Sequence, residues 1–190
     1  MSVWIIIAAV AVIVIYAIVV FNALVRTRQM ANEAWSGIDV QLKRRSDLIP
    51  NLVQTVQGYA AHERSVLEEV TQLRGAARAV AADDVAARAQ AEGALSAALG
   101  RLFALSENYP DLKASANFLG LQQQLSDVEN DIQMARRYYN GAARNQNVLI
   151  QSFPSNLIAG LFGFRPREFF EVSEEADRAV PQVDLSRTRQ

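Results

Sequence analysis

The sequence "HE" at His62-Glu63 is the start of H-E-x-x-H, in which two histidines one helical turn apart hold zinc and the glutamate serves as general base. Val66 stands where the second histidine belongs, and His62 is the only histidine in 190 residues. The acids Glu68 and Glu69, Asp83 and Asp84, and Glu174 and Glu175 are adjacent pairs. Adjacent side chains diverge on a helix and do not converge on a metal or a scissile bond. Glu129 lacks the E-x-x-H that a di-iron bundle requires. There is no cysteine, no G-x-S-x-G and no G-x-x-x-x-G-K-[ST]. These absences point away from an enzyme and from any metal or cofactor, and they leave charge and apolar surface to carry the function.

The densest charge is "KRR", Lys43, Arg44 and Arg45, close before Pro50. Its candidate targets are a membrane, a nucleic acid or a protein. A formal net charge of −1, with Trp35 the single aromatic between Arg26 and Arg45 and so no aromatic interleaving of the cations, argues against a nucleic-acid surface. The remaining choice depends on which elements carry the cations and where they take them.

Val3 to Phe21, "VWIIIAAVAVIVIYAIVVF", is a run of 19 residues without a charge. As a helix it covers about 28 Å, close to the hydrocarbon thickness of a bilayer. Trp4 at one end, and Tyr16 and Phe21 toward the other, suit interfacial anchoring. A cleaved signal peptide or a buried core helix would share the apolar composition. Neither a basic region before the run nor an A-x-A site after it is present. Arg26 and Arg28 follow the span and no cation precedes it, which places the N-terminus outside and the rest in the cytoplasm, in the inner membrane.

Past the span, Ala31, Trp35, Ile38, Leu42 and Ile49 recur at spacings of three and four with Arg45 in one slot, so the transmembrane helix is expected to run on. Pro50 predicts a break across residues 47–51, then a second helix from about Leu52 to Val80. Asp83 and Asp84 are candidate caps for a third helix to about Leu105, and Asn108 to Asp111 is a turn signal. The fourth helix has the clearest seam: Phe118, Leu121, Leu125, Val128, Ile132, Ala135, Tyr139, Ala142, Gln146 and Leu149. The chain therefore reads as all-α: an N-terminal transmembrane helix continuing into an antiparallel, coiled-coil-like four-helix bundle. Its expected parts are an anchor (1–25), a cytoplasmic bundle (26–150), an apolar membrane-proximal segment (151–172) and a polar tail (173–190).

Helices joined by short connections alternate in direction. Lys43 then lies ~33 Å beyond Phe21, out of reach of the lipid surface potential. The KRR triplet is expected at the distal corner, either as a solvated helix end or as a partner contact through Lys43, Arg44 and Arg45. By the same alternation the fourth helix returns "FPSNLIAGLFGFRP" (153–166) to the bilayer. Leu157, Ile158, Leu161, Phe162, Phe164 and Arg165 then either lie in the membrane interface or pack on the bundle base or on a second copy.

Three stretches resemble the bacterial LemA family: "NEAWSGIDVQLKRRSDLIPNLVQTVQGYAAHE" (32–63), "ENYPDLKASANFLGLQQQL" (107–125) and "RRYYNGAARNQNVLIQSFPSNLIAGLFGFRPREFFE" (136–171). The resemblance implies a single-pass membrane protein with a cytoplasmic helical bundle, and no established enzymatic activity. It also implies relatives that help build magnetosome membranes, so membrane shaping is a family theme. The expected function is a membrane-anchored scaffold that self-associates and organises or remodels the bilayer, with lipid and further copies of the chain as partners. The alternative is a tethered adaptor that recruits a protease or sensor through Lys43, Arg44 and Arg45.

Overall fold

The computed structural model describes residues 2–171, in which helices α1 (Ser2–Tyr59), α2 (Arg64–Ala79), α3 (Val85–Ser106), α4 (Pro110–Lys113), α5 (Ala116–Gln151) and α6 (Ser155–Leu161) follow in order. No strand occurs among the described residues. At ~1.5 Å per residue α1 is ~87 Å long. Its first third buries nothing: side chains from residue 2 to residue 16 are exposed all round. It is the one described helix long and apolar enough to cross a membrane. From Val20 onward one stripe is buried, comprising Leu24, Ala31, Ala34, Ile38, Leu42, Ile49, Leu52 and Val56.

α5 descends along that stripe. Trp35 meets Tyr139 with ring centroids 5.2 Å apart, and Arg45 meets Glu129. Nearer the apolar third of α1, Val20 and Leu24 share a cluster with Ile150. The α2–α3 hairpin covers only the outer part of this pair. Its tip sits beside Trp35, whose indole Nε1 donates to Ala82 O at 2.7 Å. The four long helices thus run out, back, out and back, and α5 ends beside the point where α1 leaves its apolar third. Asp84 caps α3 by accepting the Ala87 N–H at 2.9 Å, and Pro110 opens the one-turn α4 that joins α3 to α5.

The expected break at residues 47–51 does not occur. α1 passes through Pro50 and ends at Tyr59, so Leu52, Val56 and Tyr59 belong to α1 and the second helix starts only at Arg64. The turn falls at residues 60–63, and His62 lies exposed in it. Proline removes the N–H that would bond to the carbonyl four residues back, here that of Ser46. Arg74 of α2 supplies the missing donor: its Nε lies 2.7 Å from Ser46 O. A side chain 28 residues away thereby closes the gap that proline opens. Arg74→Ala should cost about 1–3 kcal/mol, the range for a buried acceptor left unpaired. The same change in a Pro50→Ala background should cost clearly less, because alanine in place of Pro50 restores the backbone bond. Urea unfolding of the detergent-solubilised chain, run as a double-mutant cycle, measures the difference.

The continuation of α1 also corrects the setting of KRR. The triplet is not at a corner, since the helix runs ~24 Å beyond Lys43.

Candidate functional site at the membrane-side end of the bundle

α5 ends at Gln151, and Ser155 finishes it off. Its Oγ lies 2.7 Å from Leu149 O and 2.9 Å from Ser152 O; Ser152 O already accepts the Asn156 N–H at 2.8 Å, so the single O–H is the donor that Leu149 O lacks at the helix end. α6 then lies across the base of the α1–α5 pair. Ser155 and Ala159, one turn apart, are buried against the pair. Leu157 and Leu161, also one turn apart, occupy the opposite face and are exposed, as is Phe153 just before the helix. Phe162 lies on Phe21 with ring centroids 4.8 Å apart. Gly163 adopts φ +69°, a left-handed conformation that glycine takes without strain, and the chain turns inward. Phe164 is consequently buried, edge-on to Phe21 at 6.0 Å, with the Arg28 guanidinium 5.1 Å from its ring centroid.

The expected contact residues therefore separate into two roles. Leu157, Leu161, Phe162 and Arg165 are exposed; Ile158 is half-buried and Phe164 is core. Val3, Trp4 and Tyr16 are exposed along the apolar third of α1, and half-buried Phe21 joins that surface to α6. The result is a small apolar plate continuous with the exposed apolar helix. Large exposed apolar patches mark interaction or membrane sites.

Residues 164–171 form an extended strap that runs away from the plate in the groove between α1 and α5. Asn147 receives the Arg167 N–H on Oδ1 at 2.7 Å and donates from Nδ2 to Arg167 O at 2.8 Å. Asn140 does the same with Phe170, at 2.9 and 3.2 Å. The spacing explains why both pairs form: seven residues of helix rise ~10.5 Å, and three residues of extended chain cover ~10 Å. Each asparagine amide substitutes for a neighbouring β-strand. Phe170 is buried in the cluster that holds Tyr139, edge-on to Trp35 with ring centroids 5.6 Å apart, and the Tyr139 hydroxyl donates to Glu168 O at 2.9 Å. Burial raises the Tyr139 pKa above its usual value. Its neutral form is thus favoured by folding, and that contribution is lost only as pH rises through the raised pKa. Asn140→Ala with Asn147→Ala should speed amide exchange at Arg167 and Phe170 roughly tenfold or more, with α1 and α5 still protected, as read by hydrogen exchange with mass spectrometry.

The KRR triplet divides as well. Lys43 is exposed, and Arg44 is exposed with Asp131 at 3.4 Å. Arg45 is not available to a partner, because its side chain is 3% exposed. It bonds Ser96 Oγ at 2.6 Å, Glu129 at 2.9 Å and both the carboxylate and the backbone carbonyl of Glu92. Arg88 continues the network to Asp39 at 2.9 Å. A partner contact through Arg45 is thereby replaced by a buried cross-link among α1, α3 and α5. Among the described residues, no three His, Asp or Glu side chains are placed to hold a metal ion. Glu174, Glu175 and the 173–190 tail lie outside the described residues.

The LemA family model matches residues 34–185. Similar proteins include Magnetosome protein MamQ of Magnetospirillum gryphiswaldense, 27% identical over 189 residues, which cover 86% of this chain and 70% of that one. Magnetosome protein MamQ 2 of Paramagnetospirillum magneticum is 26% identical with the same coverage. Protein LemA of Metamycoplasma hominis is 27% identical over 164 residues, with 86% of this chain and 72% of that one covered. None of these relatives is named for an enzymatic activity.

Proposed function

The chain belongs to the LemA family, and from that premise we propose that this membrane-associated helical protein is a non-catalytic scaffold that holds the bilayer at two points and self-associates to organise it. The observation that carries the reading is the return of Phe162 onto Phe21. It puts exposed Leu157 and Leu161 level with the end of the apolar third of α1. In water such side chains are costly; in the interfacial layer each recovers up to about 1.5–3 kcal/mol. Arg26 and Arg28 follow the span, which favours a cytoplasmic bundle in the inner membrane. Self-association is supported by Met134, Tyr138 and Val148 of α5, each more than half exposed (54, 59 and 58%). The similarity to magnetosome proteins supports an organising role over the turnover of a substrate. The adaptor alternative retains only Lys43 and Arg44 at the surface.

The chain lacks cysteine, so Phe162→Cys gives one site for a nitroxide label. In the reconstituted full chain the label should be accessible to oxygen and shielded from a water-soluble nickel complex. A label in the aqueous phase overturns the two-point reading. Cross-linking in nanodiscs at increasing density tests assembly, and a strictly monomeric species counts against the scaffold.

A further inference from the structure

We propose that the membrane-side end of the bundle is a binding collar for anionic phospholipid headgroups, built by Arg26, Arg144 and Arg165 and backed by Arg28 and Arg167. The inference rests on the two-point reading above and adds the lipid class. Its first support is the distribution of charge. Residues 21–32 and 132–171 together contain seven arginines and two acids, Glu168 and Glu171, whereas residues 33–131 contain nine cations and fourteen acids. Near-neutrality of the whole chain conceals a rod that is positive at the membrane end and negative beyond it. The ion pairs agree: every salt bridge among the described residues lies between Asp39 and Asp131, and none involves the seven arginines.

The second support is placement. Arg26 is five residues past Phe21, ~7.5 Å along α1. Arg165 follows Phe164, whose ring touches Phe21. Arg144 is six residues before Ile150, which packs with Val20 and Leu24, so it stands ~9 Å above that level. All three are exposed, and all fall within about one Debye length of the plate. They come from three separate segments of chain. The topology rule accounts for arginine next to a span, but not for Arg144 and Arg165, more than a hundred residues away in sequence. Exposed guanidinium groups that form no ion pair among the described residues, level with an apolar plate, complement phosphate oxygens above acyl chains.

The test uses the full chain in liposomes with a trace of spin-labelled phosphatidylglycerol or phosphatidylcholine, and the immobilised fraction is read by electron paramagnetic resonance. The anionic lipid should be held about three- to tenfold more strongly at low salt, and the preference should fall toward parity by about 0.5 M NaCl. Combined Arg26→Gln, Arg144→Gln and Arg165→Gln should remove most of it, and lysine at the same positions should retain it. Arg28 and Arg167 are left intact because they hold Phe164 and Asn32. Arg136→Gln with Arg137→Gln, ~20 Å above Ile150, should change nothing. Absence of a preference, its survival in the triple variant, or an equal loss in the distal pair overturns the collar. The nitroxide at position 162 separates the two ideas: a label in lipid with no preference leaves the plate standing and removes the collar. A label in water removes the plate, and the lipid preference alone then decides the collar.

Discussion

Arg45→Ala lowers the stability of the bundle by about 3–5 kcal/mol, the range for deleting one partner of a buried ion pair. The size follows from what is left behind. Glu92 on α3 is 6% exposed and faces Arg45 directly, so without the guanidinium its carboxylate is a buried charge. Arg88 offers only a distant contact at 3.4 Å and is already committed to Asp39. Glu129 is different, because at 42% exposure it returns to water when Arg45 is removed. Glu129→Gln should therefore cost less than about 1 kcal/mol, and Glu92→Ala considerably more. Replacing the pair, Arg45→Met with Glu92→Leu, should recover most of the loss and could exceed the original stability. Urea unfolding of the four variants in one detergent measures this. If Arg45→Ala and Glu129→Gln cost the same, the network is not organised around Glu92. The network also acts as a register pin: it fixes the α2–α3 hairpin at one height on α1 and α5, where the apolar contacts of Leu67, Val70, Leu95, Leu99 and Leu102 with Ile49, Leu52, Val56 and Leu125 are less directional.

The long α1 and α5, the α3 cap and the even number of strokes were legible because each is written in local periodicity or local capping chemistry. Pro50 misled for a physical reason. Helix breaking by proline is a statement about a backbone left unpaired, and here a side chain from a distant part of the sequence restores the pairing. The same applies to Arg45. A cation in the slot of an apolar stripe is a signal of a buried pair, but its partners Glu92 and Glu129 become visible only once three helices are side by side. Within the segment 153–166 composition identified the apolar residues and not their directions. The left-handed turn at Gly163 puts Phe162 outside and Phe164 inside, although both are aromatic and two residues apart. Asn140 and Asn147 gave no signal, since asparagines seven apart on a helix look like any solvated face until the strap at 167 and 170 is placed against them.

That division of roles decides which substitutions test the membrane contact. Phe164→Asp would put a carboxylate into the cluster of Val20, Leu24 and Ile150, and so would unfold the base of the bundle without reporting on lipid. Leu161→Asp with Phe162→Asp avoids this, because the two side chains are 77% and 56% exposed and contribute little to the core. If the plate lies in the interface, the pair forfeits about 3–6 kcal/mol of apolar transfer. On that scale a plate that was inserted nearly all the time becomes one that is mostly lifted. A nitroxide at Leu157→Cys should then move from oxygen-accessible lipid to the nickel-accessible aqueous phase, while the urea midpoint of the bundle stays nearly constant. If the plate is instead covered by a second copy of the chain, the label gains nickel access only as cross-linked species disappear, and diluting the unsubstituted chain in the membrane reproduces the effect. Insertion in lipid has no such dependence on density, because the anchor on α1 holds the plate at the surface whether or not another copy is near.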